Sequence, residues 1–289
     1  MDIACIAEKS LVPRGGTEPY NAMKSALKDD GHTIITANSP VQADLCLLWS
    51  VQFRVPKRQK IFDWYRKRGI PVLIIEVGAL QRNILWRVAL NNIDNTGQYG
   101  LGQPQDPQRP NDLGINLEPW RYERGENIYI CLQNDRCANW PHSENLNQWL
   151  INTVRKLRRT TERPIVIRPH PRKREPIPPE VTHTQNVRVE IPQVKNTDPD
   201  GTDFQRILDD AWAVVNVSSN PGVEAVISGV PVFVAHNNLA ASVGRTDVRR
   251  IENPVMPDRT DWLQDMIHRE WSIDEIRQGI PWQRIKPYT

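Results

Sequence analysis

The sequence predicts an α/β protein built from two Rossmann-like domains that face a cleft. Short apolar runs alternate with helix-like stretches, a pattern typical of a mainly parallel sheet flanked by helices. Residues 94–125 interrupt this alternation with glycines and prolines, after which it starts again. We therefore predict a first domain over 1–124, a second over 125–270, and a C-terminal tail helix over 271–289 that could pack back on the first domain.

Four strands and two helices are predicted in the first half. The strands are expected at Ile3–Ala7, Thr33–Thr36, Leu45–Trp49 and Val72–Glu76. A glycine-bearing loop, Leu11–Glu18, is expected to precede a helix over Pro19–Asp30, which Gly31 ends. The second helix, Lys57–Arg68, is basic and ends at Gly69.

The second half repeats the rhythm. Strands are expected at Ile128–Gln133, Ile165–Arg168, Ala213–Val217 and Val230–Ala235. Helices are expected at Glu144–Arg159, Phe204–Ala211 and Gly222–Ser228. Ligands of such folds bind outside the carboxyl ends of the strands, so the loops that follow these strands are the candidate binding segments.

The composition excludes several classes of protein. Of 289 residues, 39% are hydrophobic and 25% charged, which is enough apolar surface for a core and argues against disorder. No run of 18 apolar residues is present, so no transmembrane helix is expected. The four cysteines form no Cys-x-x-Cys pair, which favours reduced thiols and a cytoplasmic location.

Basic residues are concentrated in two blocks. Residues 54–68 hold seven basic residues and one acidic residue, and residues 155–174 hold nine and one, whereas the whole chain carries a net charge of only +3. Two such blocks on an otherwise acidic chain indicate a surface for a polyanion such as nucleic acid, a nucleotide diphosphate or an anionic lipid. The alternative for the first block is a solvated helix face.

A first candidate binding motif follows the strand Ile165–Arg168. The segment Arg168-Pro-His170-Pro-Arg172 places a guanidinium and an imidazole at the end of this strand, and its prolines restrict the backbone. Fixed cationic donors suit a diphosphate. The alternative is a proline-stiffened surface loop.

A second motif follows the strand Ala213–Val217. Ser218, Ser219 and Asn220 precede a helix whose exposed amides would accept a phosphate, and Glu224 in its first turn could bind ribose hydroxyls. The alternative is ordinary helix capping by Ser219 or Asn220. A weaker third signal is the polar loop that contains Gln133, after the first strand of the second domain.

Together these motifs resemble the donor-binding half of capsule-polysaccharide-type glycosyltransferases. The family's Lys-Pro-His-Pro motif is present with Arg168 in place of lysine, and its Ser-Ser…Glu-Ala…Gly-x-Pro-Val segment is matched from Ser218 to Val232. Glu76-Val-Gly-Ala-Leu-Gln-Arg82 resembles an acidic-x-Gly-Phe-Leu-Arg segment of the family's first domain, from which Gln81 departs. The segment 271–282 resembles the ending of short glycosyltransferase-like proteins from phage genomes.

The resemblance implies a GT-B fold and a nucleotide-sugar-dependent, metal-independent glycosyltransferase. It implies no cofactor beyond the donor substrate, which we expect to be UDP-linked. The donor-binding residues would be Gln133, Arg168, His170, Arg172, Ser218, Ser219, Asn220 and Glu224. No metal ligand is predicted, because Asp198-Pro-Asp200 lies in a polar turn rather than after an apolar strand.

An inverting transfer requires a general base on the acceptor side. Glu18, in the predicted glycine loop, is the first candidate, and Glu76, at a strand end, is the second. Either carboxylate could instead have a structural role.

Two acceptors fit the sequence. The phage-like tail and the basic blocks favour DNA that carries a hydroxymethylated pyrimidine, whose hydroxyl would have to leave the base stack. The acceptor-side residues would be Gly15, Gly16, Arg54, Lys57, Arg58, Lys60 and Arg82. The alternatives are a saccharide or lipid-linked glycan, and a non-catalytic nucleotide- or DNA-binding protein with the same fold.

Overall fold

A computed structural model describes residues 1–6, 12, 14–53, 55–122, 125–141, 143–171, 176–193 and 203–289, with the backbone alone for residues 14–16. The strands are β1 (Asp2–Ile6), β2 (Thr33–Ala37), β3 (Leu45–Trp49), β4 (Val72–Val77), β5 (Trp86–Leu90), β6 (Asn127–Cys131), β7 (Ile165–Arg168), β8 (Val187–Val189), β9 (Ala211–Asn216), β10 (Val232–Val234) and β11 (Glu270–Trp271). The helices are α1 (Arg14–Asp29), α2 (Pro56–Arg66), α3 (Arg109–Asp112), α4 (Leu146–Arg158), α5 (Pro179–Thr182), α6 (Phe204–Leu208), α7 (Pro221–Ile227), α8 (Thr260–Ile267), α9 (Ile273–Arg277) and α10 (Ile280–Ile285). Short 3₁₀ turns cover Ala241–Val243, Val248–Arg250 and Lys286–Tyr288.

The chain divides into two compact units. The first comprises residues 1–115, 136–139 and 263–289, and the second comprises 116–135 and 140–262. The limits predicted from the sequence, 1–124, 125–270 and 271–289, differ from this division.

The first unit contains a six-stranded sheet in the order β11-β5-β4-β3-β1-β2. Strands β1 to β4 pair in parallel, whereas β5 is antiparallel to β4 and β11 is antiparallel to β5. Side chains of β1 alternate between two buried clusters: Ile3 packs in the cluster that contains Met23 and Trp282, and Ile6 packs in the cluster that contains Tyr65. Both faces are therefore covered, which explains why these strands read as continuous apolar runs.

The second unit contains a five-stranded, wholly parallel sheet in the order β10-β9-β6-β7-β8. Strand β6 lies between β7 and β9, so the loops that follow these three strands are neighbours at the carboxyl edge of the sheet. The predicted α/β class with two Rossmann-like domains is confirmed, and each of the eight predicted strands is observed within two residues at either end.

Helix α1 begins earlier than predicted. The sequence places a loop up to Glu18, but the helix starts at Arg14, so Gly15, Gly16 and Glu18 belong to its first two turns. Pro19 inside the helix removes one backbone donor, and the two glycines weaken the first turn. Packing outweighs these local costs, because Tyr20 is buried and its hydroxyl donates to the carbonyl oxygens of Ile6 (2.9 Å) and Leu47 (3.0 Å).

Candidate functional site

In the second unit, hydrogen bonds connect two of the loops that were predicted to bind the donor. The Gln133 Nε2 donates to the Ser218 Oγ (2.9 Å), and the Ser218 amide donates to the Gln133 Oε1 (2.8 Å). Gln133 is only 7% exposed. Both ends of one side-chain amide are thus used, which fixes the loop after β6 against the loop after β9.

Beside this pair lies a small depression whose polar lining comes from Gln133, Asn147 and His170. Its apolar walls include Leu146 and Pro169. His170 follows β7 and is half-buried, so the structure brings the predicted Gln133 and His170 to one place.

Asn147 was not predicted as a site residue. It lies in the first turn of α4, where the N-cap residue Asn145 accepts a hydrogen bond from the Gln148 amide at 2.9 Å. The signal that could have found Asn147 is its position at the start of the helix that follows the Gln133 loop, since such turns face the carboxyl edge of a parallel sheet.

Ser219 is held by Asn216, a side chain that is 1% exposed. The Asn216 Nδ2 donates to the Ser219 carbonyl oxygen (2.8 Å) and to its Oγ (2.9 Å). The hydroxyls of Ser218 and Ser219 therefore both accept from protein amides. Among the residues that the structure describes, neither hydroxyl proton has an acceptor, so both can be donated to an anion.

The predicted capping alternative finds no support at α7. Asn220 occupies the N-cap position in a helical conformation and its side chain makes no capping hydrogen bond. The helix that follows has only seven residues.

Gly222 is required by its close contact with Asn216. A Cβ at this position would lie 2.8 Å from the Asn216 Oδ1, nearer than van der Waals contact allows. Gly222 therefore leaves the space that the Asn216 side chain needs in order to bond to Ser219.

Arg168 is placed differently from the expectation. Its guanidinium is 3% exposed; Nη1 donates to the Glu190 Oε1 at 2.7 Å, and Nη2 pairs with the Asp203 Oδ1. Burial raises the pKa of Asp203, but hydrogen bonds from Arg168 and Arg206 outweigh it and hold this pKa below its ordinary value. Arg168 is thus buried and paired with two carboxylates, whereas the sequence had suggested an exposed cation.

Cys131, at the end of β6, lies within electrostatic reach of both Arg168 and Glu224. Burial raises the pKa of this thiol to about 12; the charge of Arg168 lowers it and that of Glu224 raises it. The half-buried Glu224 thus lies near the carboxyl end of β6. The predicted Arg172, like the Asp198-Pro-Asp200 turn, falls outside the described residues.

Glu76 lies near the carboxyl ends of β3 and β4 in the first unit and is half-buried. Its Oε2 accepts a hydrogen bond from the Ser50 hydroxyl, and its Oε1 accepts from the Val77 amide at 3.0 Å. Ser50 is 2% exposed and has a φ of 60°, a left-handed conformation rare for residues other than glycine. Such backbone strain is commonest at functional sites.

Glu18, the first candidate base, is exposed on α1. Its side chain is 69% exposed, and its carboxylate lies 3.7 Å from the Arg277 guanidinium. Gly15 and Gly16 lie in the same helix rather than in a loop.

The first basic block divides into exposed and buried cations. Lys57 and Lys60 are exposed on α2. Arg58 is only 6% exposed, and its Nη1 donates to the Gln52 carbonyl oxygen at 2.5 Å. Burial lowers the pKa of Arg58, although the nearby charge of Glu76 raises it. Arg58 is therefore buried rather than exposed like its lysine neighbours, and Arg54 lies outside the described residues.

Arg82 is exposed in the turn between β4 and β5. The neighbouring Gln81, the departure from the resemblance, donates from Nε2 to the Leu113 carbonyl oxygen at 2.7 Å. The turn that bears Arg82 is thus anchored through Gln81.

Within the described part of the chain, no helix is long and apolar enough to cross a membrane. Among the same residues, no group of three or more His, Cys, Asp or Glu side chains could hold a metal ion.

These features define a two-domain α/β protein of the GT-B architecture. Neither a protein-family model nor a curated protein matches the sequence. Among solved structures, the KpsC beta Kdo 2,4 transferase of Thermosulfurimonas dismutans shares the fold, with a TM-score of 0.55, 13% identity, and coverage of 97% of this chain and 98% of that chain. The KpsC beta Kdo 2,7 transferase of the same organism has a TM-score of 0.49, 14% identity, and coverage of 100% and 99%. A spinosyn rhamnosyltransferase, SpnG, has a TM-score of 0.31, 11% identity, and coverage of 98% and 95%.

Proposed function

We propose that this protein is a nucleotide-sugar-dependent glycosyltransferase whose second unit binds the donor. The observation that carries the proposal is the reciprocal Gln133–Ser218 pair beside His170, at the carboxyl edge of a parallel sheet. The solved structure with the same fold is described as a Kdo transferase, which supports sugar transfer as the reaction class.

The donor phosphates would be bound by the second unit. Ser218 and Ser219 would donate their hydroxyl protons to phosphate oxygens, and His170 would add a donor that is cationic when protonated. As the sugar–phosphate bond breaks, negative charge grows on the leaving group, so donors already fixed in place stabilise the transition state. Glu224 would accept hydrogen bonds from the ribose, and Asn220 and Gln133 would shape the loop around the phosphates.

Arg168 would act by position rather than by contact. It pairs β7 with Glu190 after β8 and with Asp203 beside α6, which fixes the strand end that leads to His170. Direct contact with phosphate would require this guanidinium, which is 3% exposed, to become accessible.

The acceptor hydroxyl would be deprotonated by Glu76. Each of its oxygens accepts one hydrogen bond and retains a lone pair for a proton. The acceptor oxygen would then form the new bond to the anomeric carbon, while the nucleotide leaves with the electron pair of the bond that breaks. Glu18 is the competing assignment for this base.

For the acceptor, we propose a hydroxymethylated pyrimidine in DNA. Exposed cations line α2 and the turn that follows it: Lys57, Lys60, Arg66, Lys67 and Arg68. The Arg68 guanidinium stacks on the Trp64 ring at 3.9 Å. Cations on one helix suit phosphate contacts that do not depend on sequence.

A donor-by-acceptor screen read by mass spectrometry tests the reaction. We expect transfer from a UDP-linked sugar to hydroxymethylated duplex DNA. Transfer to a saccharide or lipid-linked glycan alone would keep the glycosyltransferase and reject the DNA acceptor. Absence of both transfer and donor hydrolysis with every nucleotide sugar would favour a non-catalytic binding protein.

Replacing Ser218 with alanine is expected to weaken nucleotide-sugar binding about tenfold or more. One hydrogen bond to a charged phosphate would be lost, and such bonds contribute about 1.5–3 kcal/mol. Calorimetric titration measures the change. Ser228→Ala is the matched control, because this serine lies at the other end of α7 and donates to the Gln205 Oε1 at 3.3 Å. Equal donor affinity in Ser218→Ala and the wild type would contradict the donor site.

Replacing Lys57, Lys60 and Lys67 together with alanine is expected to flatten the salt dependence of DNA binding. If each lysine meets a phosphate, the log–log slope should fall by about two to three, at roughly 0.9 per phosphate. Arg58 is left in place because it is buried. Fluorescence anisotropy at several salt concentrations measures the slope.

The exposed cations Arg155 and Lys156 of α4 provide the comparison for this measurement. A double alanine variant at these positions is expected to retain the wild-type slope. A reduced slope in the α4 variant, together with an unchanged slope in the α2 variant, would contradict the assignment of α2 to the DNA backbone.

A further inference from the structure

The loop that follows Glu76 rests on a carboxylate supplied by a distant part of the chain. Glu270, in β11, is 0% exposed. Its Oε1 accepts a hydrogen bond from the Ala79 amide (2.7 Å), and its Oε2 accepts from the Leu80 amide (2.9 Å). These bonds join residues that are about 190 positions apart in the sequence.

The same carboxylate is paired within the sheet. Glu270 is the direct cross-strand partner of Arg87 in β5, whose guanidinium donates from Nε (3.2 Å) and Nη2 (3.0 Å) to the Glu270 Oε1. Arg87 is itself only 3% exposed. The arginine compensates the buried charge, while each of the two loop amides donates to one carboxylate oxygen.

Gly78 is fitted to this carboxylate. A Cβ at position 78 would lie 2.5 Å from the Glu270 Oε2 and 2.5 Å from the Leu85 carbonyl oxygen. The Gly78 amide donates to that same carbonyl oxygen at 3.0 Å, which closes the base of the loop. The backbone position of residues 78–85 therefore depends on the position of the Glu270 carboxylate.

We propose that Glu270 is a positioning residue for the acceptor side of the reaction. It fixes the loop 78–85, which begins two residues after Glu76 and presents Arg82 at the surface. This inference rests on the proposed function, in which Glu76 is the base. Because its carboxylate accepts hydrogen bonds from two consecutive loop amides, Glu270 fixes the position and the orientation of the loop relative to β4.

The test compares Glu270→Gln with Glu275→Gln in the 289-residue chain. Glu275 also pairs with a buried arginine, since it accepts from the Arg109 Nη2 at 3.1 Å, but it is bonded to the Ser272 amide rather than to the loop. A second variant, Gly78→Ala, keeps the carboxylate and displaces the loop sterically.

Amide hydrogen exchange over 78–85 is the first readout, and it needs no activity. We expect exchange to be about tenfold faster or more in Glu270→Gln and Gly78→Ala, and unchanged in Glu275→Gln. Unchanged exchange in both loop variants would overturn the proposal.

Steady-state kinetics is the second readout. We expect kcat/KM for the acceptor to fall about tenfold in the two loop variants while KM for the donor stays at its wild-type value, and no change in Glu275→Gln. Faster exchange with unaltered acceptor kinetics would also overturn the positioning role. A wild type that transfers no sugar would count against the proposed function, while the exchange comparison would still decide whether Glu270 holds the loop.

Discussion

Replacing Glu76 with glutamine is expected to lower kcat by about 10²–10⁴ while the donor affinity stays unchanged. General-base catalysis typically contributes a factor of this size, and an amide cannot take the acceptor proton. Glutamine can still accept from the Val77 amide through its Oε1, and its Nε2 can donate to the Ser50 hydroxyl oxygen, so the local fold should persist. Single-turnover kinetics combined with calorimetric titration of the donor separates the two effects.

Glu18→Gln is the paired measurement. This side chain is exposed and lies 3.7 Å from Arg277, so we expect its replacement to change turnover much less than that of Glu76. Loss of turnover in Glu18→Gln with wild-type turnover in Glu76→Gln would move the base to α1. Wild-type turnover in both variants would indicate a mechanism without a carboxylate base at either position.

Replacing Arg168 with alanine is expected to lower the free energy of unfolding by about 3–5 kcal/mol. The change leaves Asp203, which is 7% exposed, without its buried partner, and breaking a buried pair from one side costs about this much. Urea denaturation followed by circular dichroism measures the change. From the sequence alone, the Arg168-Pro-His-Pro motif would instead predict that Arg168→Ala loses donor binding and keeps an intact fold.

Arg206 provides the control for this prediction. It contacts the same two carboxylates, Glu190 and Asp203, but its side chain is 64% exposed, so we expect Arg206→Ala to destabilise the protein much less. Similar destabilisation by both variants would contradict the assignment of Arg168 as the buried partner.

The effect of Arg168→Ala should also depend on pH. The pKa of Asp203 is held below its ordinary value of 3.8, so the stabilisation by this pair is fully present above that value and declines as the pH falls through the lowered pKa. The difference between wild type and variant should therefore narrow in acid, where protonation removes the charge that lacks a partner. A difference that is constant down to strongly acidic pH would argue against an ionic origin.

The sequence predicted eight of the nine described strands that pair in parallel, because their signal is local; the short β8 was missed. Leu45–Trp49 is buried along its whole length and reads as an unbroken apolar run, which periodicity detects directly. Strand β5 gave no such signal, because it contains Arg87 and pairs antiparallel at the side of the sheet completed by β11. The buried charge of Arg87 is compensated by Glu270, its cross-strand partner. Because this partner is distant in the sequence, no local pattern predicts it.

The sequence predicted which loops form the candidate site, but not what each side chain in these loops binds. Gln133, His170 and Ser218 could be found because each follows an apolar strand. What each group binds depends on distant residues. Arg168 pairs with Glu190 and Asp203, and Arg58 donates to a backbone carbonyl oxygen. Counting basic residues in the sequence therefore overestimates the number of cations that are exposed to a ligand.

The placement of β11 also has a consequence for the order in which the chain can fold during synthesis. The second unit is drawn entirely from residues 116–135 and 140–262, so every strand of its sheet has been made before β11 exists. The sheet of the first unit lacks its sixth strand until Glu270 and Trp271 emerge, although its other strands are the earliest to be made. Until then Arg87 is a buried-strand cation without its counter-charge, and β5 is an open edge. The half of the protein translated first is therefore the half completed last.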